Sequence, residues 1–168
     1  QPILGANDGG SGTAILLELA RCFVERPPTH DLLLAFCDGE DLGDIEGHPF
    51  ALGSQHLAAE PGEFRPDQVI ALDMVGGRAM RLNVELNSLT ASAAGHALFR
   101  RLFGLGRALG LEPFSGGASR WIWSDHGPWL ERGVPAVLLI DIDYPQWHTT
   151  ADLPEHCSPD SLAAVGQV

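Results

Sequence analysis

Three short stretches of the chain are apolar almost without interruption: residues 31–37 (DLLLAFC), 68–74 (QVIALDM) and 135–142 (PAVLLIDI). A strand with one wet face alternates polar and apolar residues, whereas an unbroken apolar run belongs in a sheet covered on both sides. Segments of helical period lie between these runs. Residues 13–25 put Ile15, Leu16, Leu19, Ala20, Phe23 and Val24 on one face, with Ser11 as the predicted cap and Pro27-Pro28 as the stop. The pattern predicts a short helix over 53–60 and a long one over 90–109 that turns Arg100, Arg101 and Arg107 to solvent. A short helix over 125–132 is stopped by Gly133, and a final helix starts at Ser158. Residues 79–84 are expected as a further strand, at an edge. This alternation predicts a three-layer α/β/α sandwich around a mixed, mostly parallel central sheet. No repeat or low-complexity tract divides the chain, so residues 1–168 are expected to form a single domain. Gln1 leads straight into a glycine-rich loop with no initiator Met, which predicts a chain truncated at its N-terminus.

A chain of 168 residues, 45% of them hydrophobic, can bury a substantial core, and global disorder is excluded. Ten Lys and Arg stand against 22 Asp and Glu, a net charge of −12. That leaves no basic patch to displace counterions, so nucleic acid is not an expected partner. No apolar run approaches the length of a membrane span, and no signal peptide is visible. Cys22, Cys37 and Cys157 include no C-x-x-C pair and are expected as buried thiols, with one disulfide left open.

Acids and one histidine sit where these apolar runs end. Asp8 lies in GANDGGSG, Glu40 and Asp41 in FCDGED, Asp73 in ALDMVG, and His148 in YPQWHTTAD. In open α/β sheets ligands gather beyond the carboxyl ends of strands, where these residues fall. Carboxylates and an imidazole converging from separate loops suit a divalent cation, zinc above all. Each residue has a plainer reading. Asp8 serves equally as a helix cap. Glu40 and Asp41, with Asp44 and Glu46 nearby, fit a solvated acidic loop. His148 fits a surface loop. Asp73 resists the plain reading, because it interrupts an apolar strand and a buried carboxylate costs several kcal/mol unless a cation, a metal or a shared proton compensates. His30, His48, His56, His96 and His156 sit in polar or helix-face settings, and His126, in the turn Ser124-Asp125-His126, is intermediate.

Taken in order, GANDGGSG, LLELAR, DGED, GSQHLA, LDMVG, SDH, GVPAVLLI and WHTTAD resemble the zinc-dependent exopeptidase family of aminopeptidases and glutaminyl-peptide cyclotransferases, over nearly the whole chain. The cyclase branch is the nearer one, from the tryptophan before the histidine and the longer gap between DGED and Gly53. The resemblance implies one zinc ion held by Asp8, Asp41 and His148, Glu40 as proton shuttle, and Asp73 as an acid near the substrate amine. Trp147, Asp125 and Ser124 would line the substrate site. In two-zinc aminopeptidases the Asp73 position binds the second metal. Three departures stand out. Asp41 replaces the more frequent Glu, Ser124 replaces an acid common in cyclases, and the segment that carries a further histidine ligand in aminopeptidases, together with its N-terminal strands, is absent. The implied substrates are peptides with a free N-terminus, and the implied location is periplasmic or secreted. An inactive peptide-binding domain on the same fold is the third reading.

Overall fold

The computed structural model describes residues 2–43 and 45–168; Gln1, at the start of the glycine loop, and Asp44, in the acidic loop, lie outside the described residues. Helix α1 (Gly10–Glu25) ends just before Pro27-Pro28, and α2 (Leu52–Ala59) follows a long loop. Then come strand β1 (Val69–Asp73), the two-residue β2 (Val84–Glu85), α3 (Leu86–Thr90) and α4 (Ala93–Ala108). Strand β3 (Ser119–Arg120), α5 (Gly127–Glu131), β4 (Ala136–Ile140) and α6 (Pro159–Gly166) complete the order.

β1 and β4 run parallel, from Val69 opposite Ala136 to Asp73 opposite Ile140. β2 and β3 form a second parallel pair, and one antiparallel bridge joins Gly77 to Cys157. Asn83 stitches the second pair to β4: its N–H donates to the Ile140 carbonyl at 2.8 Å and its side-chain oxygen accepts from Ile142 N at 2.8 Å.

Every residue of β4 is buried, and its side chains alternate between two cores. Val137 and Leu139 join Ile15 of α1, Leu98, Phe99, Leu102 and Phe103 of α4, and Val165 of α6. On the opposite face Ala136 packs with Ala58 of α2 and Trp129 of α5, while Leu138 and Ile140 pack with Met74 and Tyr144. Helices therefore cover both faces of the strands, which is the layered α/β architecture that the unbroken apolar run over 135–142 requires.

Several local expectations are corrected. Residues 31–37 pair with no strand among the described residues, and Leu32, Leu33 and Phe36 are about half exposed. Apolar composition permits a strand, but a strand also needs a neighbour to receive its backbone hydrogen bonds. β1 is half-buried rather than covered on both faces, with Ile70 exposed. Over 79–84 only Val84 enters a ladder, although Met80 and Leu82 are buried. The long helix expected over 90–109 is α4, which starts three residues later because Ser92 adopts an extended backbone and caps it by accepting from Gly95 N at 2.9 Å, and α3 before it was not expected. The helix over 125–132 shortens to α5. Ser11 caps nothing: Gly9 holds the cap position with φ +80°, and the Ser11 hydroxyl donates to the Asn7 carbonyl and accepts from Val75 N. The three cysteines are free and half-buried. No helix among the described residues is long and apolar enough to cross a membrane.

Candidate active site

The loop before α1 is fixed from two sides. Asn7 is fully buried, and its side-chain oxygen accepts from Gly76 N at 2.7 Å, just beyond β1. Asp152, also fully buried, accepts from Asn7 N at 2.9 Å, Asp8 N at 3.0 Å and the Tyr144 hydroxyl at 2.9 Å. This one carboxylate ties the loop after β4 to the loop before α1. It brings His148 Nε2 to 3.5 Å from Asp8 Oδ2 and to 3.0 Å from Asp41 Oδ1. Asp41 arrives from a 3-10 turn at Glu40–Leu42.

His148 holds a left-handed φ of +55°, and Met74, which follows Asp73, a φ of +46°. Each such non-glycine conformation costs about 1–3 kcal/mol and persists only where surrounding bonds over-determine it. Around His148 those bonds are Trp147 N to the Tyr144 carbonyl, Thr149 N to that of Gln146, and Asp152 N to that of Thr149. Trp147 stacks at a tilt on the His148 ring, with centroids 4.4 Å apart.

Four acids, Asp8 of the cluster and Glu40, Asp73 and Asp125 around it, all have their proton affinity raised. Burial, and then the Asp41 carboxylate, push the Asp8 carboxyl up to about 6. Burial and the Asp8 carboxylate push Asp73 up to about 7, although the Ser124 hydroxyl donates to it at 3.1 Å and pulls the other way. Burial, followed by Asp73, Asp41 and Asp125, pushes Glu40 well above the usual carboxylate range. Burial also raises Asp125, against a hydrogen bond from the Ser54 hydroxyl. No arginine acts on any of the four, and the chain contains no lysine. The only basic groups acting on them are imidazoles, His148 on Asp8 and His126 on Asp125, and acids held this close with no arginine favour either protons or a cation.

Asp8, Asp41 and His148 form the one group of metal-capable side chains among the described residues whose donor atoms all lie within 4.8 Å of one another. Two carboxylate oxygens and one imidazole nitrogen are a donor set that zinc accepts in catalytic sites. The residues present therefore fit a zinc ion.

All eight residues singled out in the sequence gather here. Asp8, Asp41 and His148 meet directly, Glu40 and Asp73 lie within electrostatic reach of them, Ser124 contacts Asp73, Asp125 contacts Ser54, and Trp147 contacts His148. Two residues that matter were not singled out. Asp152 orients the cluster, and its signal was an acid four residues after His148 in a loop already rich in site residues. Glu85 lies behind the site, bonded to the fully buried His126 at 3.1 Å. Nothing in RLNVELNS marked it.

The sequence profile of peptidase family M28 matches residues 1–168. The chain is 29% identical to aminopeptidase YwaD of Bacillus subtilis over 98% of this chain and 36% of that protein. It is also 29% identical to the glutaminyl-peptide cyclotransferase of Drosophila melanogaster over 96% of this chain and 54% of that one. The crystal structure of a Zn-dependent exopeptidase from Parabacteroides distasonis superposes with a TM-score of 0.88 at 30% identity, covering 99% of this chain and 62% of that one. The chain thus spans between about a third and a half of the length of these curated relatives.

Proposed function

This chain belongs to peptidase family M28, and on that premise we propose that it carries the active site of a zinc-dependent glutaminyl-peptide cyclotransferase, which closes the N-terminal glutamine of a peptide to pyroglutamate and releases ammonia. The observation that carries the proposal is the three-donor cluster of Asp8, Asp41 and His148, the one such group among the described residues, which does not include Asp73. A one-ion site is what this reaction needs. The tryptophan stacked beside His148 supplies an apolar wall against which a glutamine side chain can lie.

When bound by these three residues, zinc supplies Lewis-acid polarisation of an amide carbonyl. The chain's own residues supply the rest. Asp73, in contact with the Ser124 hydroxyl, offers a hydrogen-bond acceptor for the substrate α-amine and orients it toward the side-chain amide carbon. That attack is intramolecular and gains from proximity. Glu40 accepts the proton that the amine loses as the new C–N bond forms. It returns that proton to the amide nitrogen as the old C–N bond breaks and ammonia departs. Its raised proton affinity suits a group that must both take and give a proton near neutral pH.

One observation favours a second reading, aminopeptidase hydrolysis. Ser124 stands where the cyclase pattern commonly has an acid, and the Ser124-Asp125-His126 triplet is familiar from aminopeptidases. In that reading Glu40 activates a water and Asp73 holds a second ion.

Mass spectrometry of products from one peptide beginning with Gln and one beginning with Leu separates the two readings. Loss of ammonia from the first with the second intact supports the cyclase; release of free Leu supports the peptidase. Glu40→Gln should abolish turnover while zinc stays bound, and turnover at the wild-type rate would remove Glu40 from the mechanism.

A further inference from the structure

Behind the site, Glu85 and His126 are both completely buried. Glu85 Oε1 accepts from Asn87 N at 2.9 Å, Asn87 Nδ2 at 3.0 Å and Ile122 N at 3.2 Å. Its Oε2 accepts from Ser88 N at 2.6 Å, the Ser88 hydroxyl at 2.7 Å and His126 Nε2 at 3.1 Å. These bonds do two jobs. Those from Asn87 and Ser88 cap α3, and the Ser88 hydroxyl also accepts from Leu138 N at 3.0 Å, so the carboxylate is anchored to the buried strand β4. The other two reach the ends of a different segment, Ile122 on one side and His126 on the other. Between those ends lie Ser124, whose hydroxyl meets Asp73, and Asp125, which meets Ser54. Asn87 Nδ2 reinforces the near end by donating to the Ile122 carbonyl at 2.7 Å. His126 Nδ1 has no partner among the described residues, so the bond to Glu85 is the one that satisfies the buried ring. Without it both ring nitrogens would be buried and unpaired, a state that favours movement of the segment.

We propose that Glu85 is a positioning residue. It clamps residues 122–126 at both ends against the α3–β4 frame, so that Ser124 and Asp125 are delivered to the acid cluster. The inference rests on the proposed role of that cluster, and it assigns the Ser124 segment a dedicated anchor that is separate from the metal-capable residues. A displacement of about 1 Å in a catalytic constellation costs on the order of a hundredfold in rate.

The test uses the zinc-loaded protein as the full polypeptide. Glu85→Gln keeps the volume but replaces half of the acceptor set with a donor. Two results are expected: faster amide hydrogen exchange at residues 122–127 and at the capped N–H groups of Asn87 and Ser88, with α4 and β4 as protected as before, and a kcat lower by about a hundredfold on whichever peptide the wild type turns over, at unchanged zinc content. His126→Leu should reproduce both effects, and His126→Gln, whose amide can still donate to Glu85, should restore much of the rate. The double variant Glu85→Gln/Ser124→Ala should lose less than the product of the two single losses, because both changes act on the same segment. Unchanged exchange at 122–127, an unchanged kcat, or a double variant whose loss is the product of the two single losses would each overturn the proposal. Should Glu85→Gln fail to fold, His126→Leu carries the same test, since it leaves the Asn87 and Ser88 bonds in place. A wild type that turns over neither peptide would defeat the cyclase and peptidase readings, while the exchange measurement would still decide the clamp.

Discussion

Asp73 ends a strand whose neighbours are apolar, and burial there favours its protonated form, with a folded value near 7 against an ordinary 3.8. In the metal-free protein the folded state therefore holds more protons at this site than the unfolded chain between those two values. Stability must then fall as pH rises from about 4 toward 7, and Asp8, raised to about 6, adds to the same slope. Thermal melts in a chelator across that range should show the decline, and Asp73→Asn should flatten it; a melting temperature that climbs with pH would contradict the assignment. Glu85 has the opposite sign. Burial pushes its carboxyl up, but the hydrogen bonds from His126, Ser88 and Asn87 together outweigh that and hold it at about 2. Its contribution is present above about 4.5 and is lost as pH falls toward 2. Glu85→Gln should therefore remove part of the acid-denaturation limb, which a pH titration of ellipticity would read. Asp73 could be named from sequence because it breaks an apolar strand, and Asp8, Asp41 and His148 because the ordered series of motifs around them resembles a known family, each alone having a plainer reading. Asp152 and Glu85 could not, because their importance lies in which backbone N–H groups they receive, and those belong to residues distant in the chain.

Among the elements, α1 approaches β1 so closely that a Cβ on Gly12 would lie 2.5 Å from the Leu72 carbonyl oxygen. Backbone cannot yield as a flexible side chain would, so Gly12→Ala must push the helix off the strand. The expected cost is about 1–3 kcal/mol in a urea melt. Because the α1 entry loop carries Asp8, zinc affinity should fall with it. Gly104 on α4 is a matched control: nothing lies within 4 Å of its added Cβ, and Gly104→Ala should stabilise by about 0.4–1 kcal/mol. Equal effects at the two glycines would mean that helix propensity, not packing, governs both. The helices were legible because a 3.6-residue period is local, and α1, α2 and α6 begin within three residues of their expected starts. The short helix α3 and the start of α4 at Ala93 rather than residue 90 were not, since a capping serine looks like any other surface serine until its hydroxyl finds Gly95 N. The strand expected over 31–37 failed for a related reason: its apolar side chains are local, but its pairing partner is not.

For the whole molecule, a cation bound at the acid cluster should stabilise the fold by mass action. Free zinc at a hundred times its dissociation constant adds about 2.7 kcal/mol. A scanning calorimeter should record an upward shift on adding zinc, its reversal by chelation, and no shift in His148→Ala; a shift that survives His148→Ala would place the ion elsewhere. The sequence by itself determined the layered α/β class, the longer helical segments, the central buried strand over 136–140 and, through the ordered series of motifs, the identity of the candidate acids and histidine. These are written in periodicity and in the order of the motifs. Only the tertiary structure decided that the donor atoms of Asp8, Asp41 and His148 converge, that Asp152 joins the loops carrying Asp8 and His148, and that Glu85 bonds to both ends of the Ser124 segment. Those relations are hydrogen bonds and distances across separations of up to 145 residues, and they exist only once packing of the cores on both faces of β4 has fixed where each loop begins and ends.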